Sequence, residues 1–270
     1  MNRLRLAAAC AAAVGASAAL VPGSATAKTT ISMSGSTSVA PLAAKLARGY
    51  LRAFPNSTTF RLAQGGSDIG VADVARGRVT IGNSSRDPKP TDPGGLVFNK
   101  IARDAICIAS NSRNPVSNLS QAQIQAIFGG QVRDWSQIPG SGVRGSINVV
   151  VRTAASGTQD AFQKIFMGNT KVSSGAAQKA SNGLVAQAIR NDPNAIGYVS
   201  LAFTKGLNDA RYKGVGCTLR SAKSGQYEGT RNFWMVTRGA ATGAARKFIR
   251  WIQNNAAAQR IIATGWVPLK

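Results

Sequence analysis

The chain has 270 residues and is strongly basic, with 33 Lys and Arg against 10 Asp and Glu, a formal net charge of +23 and no histidine. Without histidine, and with only 3 cysteines, a His-dependent catalytic triad and a structural zinc site are excluded. The charge suits nucleic acid, an anionic cell envelope or a small anion. Because the basic residues are scattered and no aromatic residues alternate with them, specific nucleic-acid binding is not predicted.

Residues 1–27 have the pattern of a secretory signal peptide. Arg3 and Arg5 precede an apolar, alanine-rich segment at 6–21, and the run Ala25-Thr-Ala27 has the small-x-small form of a signal-peptidase site. We predict cleavage after Ala27 and export to the periplasm, the extracellular space or the cell-envelope surface. No other apolar run approaches the roughly 20 residues that a membrane span requires.

The rest of the sequence alternates predicted strands and helices, and three of the strands run into a loop of hydroxyl groups and glycine at a helix start. The strand and loop pairs are, in chain order, 29–33 with 34–39, 58–63 with 64–70, and 147–151 with 152–158. A short strand predicted at 79–82 leads to Ser84 and Ser85, whose hydroxyls are further candidates, although a plain turn has the same pattern.

Three such loops in one α/β alternation favour an anion site over three unrelated helix caps. A helix start presents unpaired backbone N–H groups and a partial positive charge, which hold an oxyanion. Arg152, at the end of its strand, adds a full charge and a planar fork of donors that suits a tetrahedral oxyanion. Taken alone, that loop is better explained as a helix cap beside a surface arginine, so the interpretation depends on the repetition.

The chain resembles the periplasmic phosphate-binding proteins of phosphate ABC transporters in four motifs: SGSTSVAPL (34–42), QGGSDIGVADV (64–74), IGNSSRD (81–87) and VRTAASGT (151–158). Segments at 114–138, 181–201 and 265–269 extend the likeness over most of the mature chain. The resemblance implies an α/β, two-domain periplasmic-binding-protein fold, type II-like, with a ligand cleft between the domains. It also implies these phosphate ligands: Thr37, Ser38, Ser67, Arg152, Ser156, Gly157 and Thr158.

Ser85 marks a departure from that family. Well-known members place an Asp in the segment that is 82–85 here, and that carboxylate accepts the proton of phosphate while repelling sulfate. We add Ser85 to the ligand set as the acceptor, but a hydroxyl brings no charge repulsion, which predicts weaker discrimination against sulfate. Asp68 is a candidate substitute, although an acid at a helix start is better explained by the helix dipole.

The family's layout implies a discontinuous first domain. Two apolar strands, 105–109 and 233–237, resemble its paired hinge segments, so the loops of the first domain would face Arg152 across the cleft. The predicted organisation is a signal peptide at 1–27, a first domain at 28–103 plus 229–270, and a second domain at 104–228.

Two cysteines, Cys107 and Cys217, remain after removal of the signal peptide. Cys107 falls on the strand 105–109 and Cys217 on a strand predicted at 215–219, both in the second domain. In an oxidising compartment such a pair more often forms a disulfide than stays free, and we predict a bond between them. Two buried thiols are the alternative.

A secreted solute-binding protein is the function that these observations favour. It would capture inorganic phosphate as a monomer and deliver it to the membrane permease of a phosphate ABC transporter, with no cofactor, no metal and no specific nucleic acid. An enzyme is not predicted, because nothing positions a nucleophile with a base and no nucleotide-binding loop occurs. Two alternatives stay open: a receptor for sulfate or an organic phosphate, and a basic adhesion or matrix protein of the envelope on the same fold.

Overall fold

The computed structural model describes residues 28–269, and the signal peptide predicted at 1–27 lies outside them. The strands are β1 (Thr29–Gly35), β2 (Thr58–Leu62), β3 (Ile81–Ser84), β4 (Leu96–Asn111), β5 (Asn118–Leu119), β6 (Asn148–Arg152), β7 (Ala177–Lys179), β8 (Ala195–Ser200), β9 (Leu207–Asp209), β10 (Arg211–Tyr212) and β11 (Thr230–Arg238). The α-helices are α1 (Ala40–Ala53), α2 (Ser67–Ala75), α3 (Gln121–Phe128), α4 (Gly157–Phe162), α5 (Asn182–Asn191), α6 (Leu219–Ser224), α7 (Gly243–Asn254) and α8 (Ala256–Ala263). Within 28–269 no helix is long and apolar enough to cross a bilayer.

A nine-stranded mixed sheet runs through the molecule in the order β2-β1-β3-β11-β4-β8-β6-β7, with β9 also paired to β4. The long strand β4 belongs to both halves of this sheet. Its residues 96–105 pair with β11, and its residues 106–110 pair with β8. The sheet therefore passes from one half to the other within a single strand.

Helix α1 shows how the sequence specifies an element of the first half. Leu42, Leu46 and Tyr50 recur at every fourth position and are buried, so one face of the helix packs on the sheet. Pro41 stands in the first turn, where its missing N–H leaves no internal hydrogen bond unmade. The helix ends at Ala53, and Pro55, which cannot continue a helix, follows shortly after.

Two large hydrophobic cores lie in the two halves. One combines residues from 31–102 with residues from 233–266, and the other combines residues from 105–227 with Val267. We propose domain boundaries at 103/104 and 228/229 on this basis, and these boundaries stay a prediction. The two predicted hinge segments do not pair with each other, because 106–109 pairs with β8 and Ala105 with Thr230, while 233–237 pairs with 97–102 of β4.

Cys107 and Cys217 are joined by a disulfide, with their Cα atoms 5.5 Å apart. The strand predicted at 215–219 is wrong. Cys217 lies in a loop and α6 begins at Leu219, because the Thr218 hydroxyl caps that helix by accepting a hydrogen bond from the Ser221 N–H at 3.1 Å.

Candidate anion-binding site

Five buried hydroxyl groups from four separate loops converge between the two halves of the sheet. We call this set the hydroxyl cluster; its members are Ser36, Ser38, Ser67, Ser85 and Thr158, none more than 3 % exposed. Ser85 Oγ lies 2.8 Å from Ser36 Oγ and 3.3 Å from both Ser38 Oγ and Ser67 Oγ. Ser38 Oγ lies 3.1 Å from Thr158 Oγ1, which joins the α1 loop to the α4 loop. Sequence reasoning named every member except Ser36, which stands in the same loop as Ser38.

Arg152 ends strand β6 and is 2 % exposed. Its Nε and Nη2 donate to the carbonyl groups of Lys179 and Ala180 at 3.1 and 2.8 Å, which fixes the plane of the guanidinium. Its Nη1 lies 3.4 Å from Thr158 Oγ1, so the charge reaches the hydroxyl cluster. Its backbone N–H donates to the buried Tyr198 hydroxyl at 2.9 Å, which holds the strand end in place. Arg152 therefore lies beside the loop at the start of α4, where the sequence predicted it.

The start of α4 is capped, and it approaches the opposite loops closely. Ser156 is the N-cap residue, and its Oγ accepts from the N–H groups of Thr158 and Gln159 at 3.1 and 3.3 Å. At Gly157 an added Cβ atom would lie 2.2 Å from Ser67 Oγ and 2.8 Å from Ser85 Oγ. Since no side chain fits there, glycine is what lets the backbone of α4 reach the hydroxyl cluster.

Thr37 is buried, but its hydroxyl hydrogen-bonds to Asn182 and not to the hydroxyl cluster, although Thr37 was expected to be a phosphate ligand. Asn182, the first residue of α5, donates from Nδ2 to Thr37 Oγ1 at 3.0 Å. Asn182 also accepts from the Ser200 N–H at 3.0 Å through its Oδ1 atom, which fixes its amide group. The side chain of Thr37 thus links the α1 loop to α5, and the structure does not bring it into the hydroxyl cluster.

A second buried arginine, Arg231, reaches the hydroxyl cluster from the start of β11. Its Nη2 donates to Ser38 Oγ at 2.9 Å and to Asp104 Oδ2 at 2.9 Å, and it is 7 % exposed. Asp104 is 1 % exposed and also accepts from Ser200 Oγ at 2.9 Å. Sequence reasoning missed this pair. The signal was the alternation along β11, where Arg231, Phe233 and Met235 share the buried face.

The buried charges of the site do not cancel. Two guanidinium groups, those of Arg152 and Arg231, are set against the single carboxylate of Asp104, so one positive charge is left over. Burial lowers the pKa of Arg152 to about 10, and the charge of Arg231 lowers it as well. Burial likewise lowers the pKa of Arg231 and raises that of Asp104. Arg152 is still protonated at neutral pH, and an anion bound here would relieve the repulsion between the two cations.

Asp68 forms ion pairs with basic side chains and is not part of the hydroxyl cluster. Arg86 donates from Nε to Asp68 at 2.5 Å and from Nη2 to Asp92 at 2.6 Å, and Lys89 lies 3.8 Å from Asp68. The Asp68 side chain is 39 % exposed. Within residues 28–269, the hydroxyl groups of the cluster make no hydrogen bond to any carboxylate.

A pocket of about 320 Å³ adjoins the hydroxyl cluster and shares Ser85 and Arg231 with it. Residues of both halves line it, among them Arg103 and Asn232 on one side and Asp160 and Lys164 on the other. It therefore offers an approach between the halves to the buried charges. In the part of the chain from 28 to 269 no group of acidic or cysteine side chains is arranged to hold a metal ion.

Comparison with known proteins identifies relatives over nearly the whole chain. The phosphate-binding protein PstS of Bacillus subtilis is 26% identical over 248 residues, which cover 88% of this chain and 80% of that protein. A solved structure described as a phosphate ABC transporter substrate-binding protein of Clostridium perfringens, with bound phosphate, has a TM-score of 0.84 at 29% identity and covers 90% of this chain and 100% of its own. An ABC-type phosphate transport receptor from Vibrio cholerae has a TM-score of 0.71 at 27% identity and covers 88% and 99% of the two chains.

These similarities confirm the resemblance to the phosphate-binding proteins of phosphate ABC transporters and the two-domain α/β fold with a cleft between its halves. A sequence model described as a PBP superfamily domain matches residues 20–256, which is most of the chain. The chain therefore belongs to the PBP superfamily.

Proposed function

We propose that this protein captures inorganic phosphate between its two domains and delivers it to the permease of a phosphate ABC transporter. The observation that carries the proposal is the hydroxyl cluster, five buried hydroxyl groups flanked by two buried guanidinium groups and only one carboxylate. The names of the Bacillus and Clostridium relatives agree with phosphate as the ligand.

The chemistry of the cluster fits a tetrahedral, partly protonated anion. Each hydroxyl can donate to a phosphate oxygen and can also accept, so one member can take the proton of hydrogen phosphate. Guanidinium groups supply charge-assisted hydrogen bonds, which are roughly twice as strong as neutral ones. Because the side chains are buried, these interactions are screened much less than they would be at the surface.

The proposed ligand set keeps most of the residues predicted from the sequence and adds one. Side-chain hydroxyls of Ser38, Ser67, Ser85 and Thr158 contact the anion, and Arg152 and Arg231 provide the charge. Gly157 contributes its close main chain at the start of α4. Ser156 acts as the helix cap and Thr37 as a link to α5, so we expect their substitution to weaken binding indirectly.

Sulfate or another tetrahedral oxyanion is the second candidate ligand, and one observation favours it. No carboxylate hydrogen-bonds to the cluster within the described residues, so no carboxylate in direct contact repels a dianion that has no proton to donate. We expect phosphate to be preferred but the margin over sulfate to be small.

The remaining features of the proposal follow from the same reasoning. The protein acts by binding rather than by catalysis, works as a monomer, and needs neither a cofactor nor nucleic acid. The bound anion passes to membrane permease components, which requires export; the proposed cleavage after Ala27 lies outside the described residues.

Calorimetric titration with phosphate and sulfate tests the proposal. The protein should bind phosphate, and Arg152→Met should weaken binding at least ~100-fold, because an anion buried without its counter-charge costs about 3 to 5 kcal/mol. Arg78→Met is the matched control, since Arg78 is an exposed arginine in a surface ion pair with Asp73 and should leave the affinity unchanged. No heat of binding with either anion, or equal affinities in the two variants, would refute the proposed function.

A further inference from the structure

The acidic residues of this chain are confined to its middle. All 10 lie from Asp68 to Glu228, so the segments before and after carry basic charges alone. These two segments fold together as α1, α7 and α8, which pack against one another. We call the exposed surface of the three helices the basic helical layer; its exposed basic residues are Lys45, Arg48, Arg52, Arg246, Lys247, Arg250 and Arg260. Within 28–269 none of the seven takes part in an ion pair.

Three of these cations line one groove. Lys45, Arg48 and Arg52 share a face of α1 and, with Ile261 and Thr264, border a groove of about 250 Å³ between α1 and the end of α8. The Lys45 ammonium is partly fixed, because it lies 3.3 Å from Thr264 Oγ1 and 5.3 Å from the centre of the Trp266 ring. Since like charges held this close repel one another, an anionic group in the groove would be stabilised.

An exposed aromatic ring borders the same surface. Phe54 is the C-cap residue of α1, two positions beyond Arg52, and it is 42 % exposed. Its ring packs on Tyr50 with centroids 4.8 Å apart, and Tyr50 in turn packs on Trp251 of α7. A basic surface with an apolar aromatic residue at its edge is the combination that adsorbs to anionic membranes.

We propose that the basic helical layer binds the anionic surface of a phospholipid bilayer, with headgroup phosphates in the α1–α8 groove and Phe54 at the headgroup boundary. Nucleic acid is less favoured, because Tyr50, Phe248 and Trp251 are buried, so that among the residues described here Phe54 stands alone at this surface and does not form the row of rings on which successive bases stack. None of the seven cations belongs to the hydroxyl cluster. Membrane binding therefore goes beyond anion capture and uses separate residues.

Sedimentation with lipid vesicles tests this surface directly. Vesicles containing phosphatidylglycerol should bind the protein at about 0.1 M salt and release it at about 1 M, where the Debye length falls from roughly 10 Å to 3 Å. Vesicles of phosphatidylcholine alone should not bind it. Replacing three cations of the groove, Lys45→Gln, Arg48→Gln and Arg52→Gln, should lower the partition coefficient on the order of 100-fold.

A second triple variant controls for the loss of net charge, because it has the same net charge as the first. Arg113→Gln, Arg144→Gln and Lys223→Gln remove the same charge from exposed positions outside the basic helical layer, and the partition coefficient should fall by less than about threefold. Equal thermal midpoints of the two variants establish that both are folded. If the partition coefficient fell equally in the two variants, net charge alone would explain vesicle binding and the proposal would be overturned. The absence of any preference for anionic vesicles would also overturn it, as would tighter binding of single-stranded DNA that depends on the same three groove residues.

Discussion

The replacement Arg231→Gln tests the part of the site that the sequence did not reveal. Arg231 stands between Ser38 and Asp104, with its Nη2 atom 2.9 Å from each of their side-chain oxygens. Glutamine keeps an N–H donor that reaches about as far as the arginine Nε atom, but it loses the contact that Nη2 makes with Ser38 and removes the positive charge. Asp104 is then left as a buried carboxylate without its positive partner, although Ser200 still donates to it. We expect phosphate binding to weaken, because one attraction is lost and one repulsion is exposed.

The expected loss of phosphate affinity in Arg231→Gln can be worked out from these contacts. A hydrogen bond to a charged group contributes about 1.5 to 3 kcal/mol. Two contacts of 2.9 Å through Arg231 Nη2 separate Asp104 from the Ser38 hydroxyl, so a dianion bound to Ser38 would lie on the order of 8 Å from Asp104. An ionised Asp104 at that distance would add roughly 4 kcal/mol of repulsion at an effective dielectric constant near 20. Burial already raises the pKa of Asp104, so this carboxyl group takes up a proton before the full repulsion develops. The net cost should be about 2 to 5 kcal/mol, which is roughly a 30-fold to several thousand-fold rise in Kd.

A double variant separates the two contributions. In Arg231→Gln with Asp104→Asn the carboxylate is gone, so the loss should shrink to about 10-fold to 150-fold, and the second substitution should improve binding. Calorimetric titration of phosphate into each variant at neutral pH measures this, with Arg103→Gln as the control for a pocket arginine outside the cluster. Wild-type affinity in Arg231→Gln would remove Arg231 from the site. Equal affinities in the single and double variants would refute the role of the Asp104 charge.

Three further predictions follow from individual side chains. Ser85→Asp should raise the ratio of phosphate to sulfate affinity measured by competition, because a buried carboxylate repels sulfate but accepts the proton of hydrogen phosphate; an unchanged ratio would contradict this. Gly157→Ala should weaken phosphate binding at least ~10-fold through contact with Ser67, whereas Gly183→Ala in α5, whose added Cβ would meet nothing closer than 3.7 Å, should not. Burial raises the pKa of Asp209 to about 6, so folding favours its protonated form and the stability it contributes falls as pH rises from about 4 through 6. Asp209→Asn should therefore gain about 1 to 2 kcal/mol in unfolding free energy near neutral pH and nothing near pH ~4; a constant difference in denaturant titrations at the two pH values would contradict this.

Local pattern was enough to predict the elements that carry the cluster. The predicted strand 29–33 corresponds to β1, and the hydroxyl and glycine loops lie where a strand meets a helix start. Such features depend on residues close together in the sequence, namely apolar periodicity, capping hydroxyls and a nearby proline. The short strand at 79–82 was displaced by two residues, since Thr80 instead exchanges hydrogen bonds with Ser32 and the strand begins at Ile81.

The partners of the buried side chains could not be predicted in the same way. Asp104 and Arg231 are separated by 127 positions and meet only because β4 and β11 pair in antiparallel register. Thr37 meets Asn182 over a separation of 145 positions. A motif that names Thr37 as a ligand contains no information on which residue of the other half will hydrogen-bond to it. These assignments need the packing of the two halves as well as the spacing within each.

The positions of the charges distinguish two roles, binding of a small anion and binding of an anionic surface, which the net charge alone does not distinguish. The formal charge of +23 was compatible with a small anion and with an anionic surface. In the structure the cations that would serve these two roles lie in two separate places. Arg152 and Arg231 are buried around hydroxyl groups, where desolvation favours one small, dehydrated anion. The cations of the basic helical layer are exposed and salt-screened, which suits an extended anionic surface. Salt should therefore weaken vesicle binding far more than phosphate binding, and measuring both in the same salt series distinguishes one shared site from two.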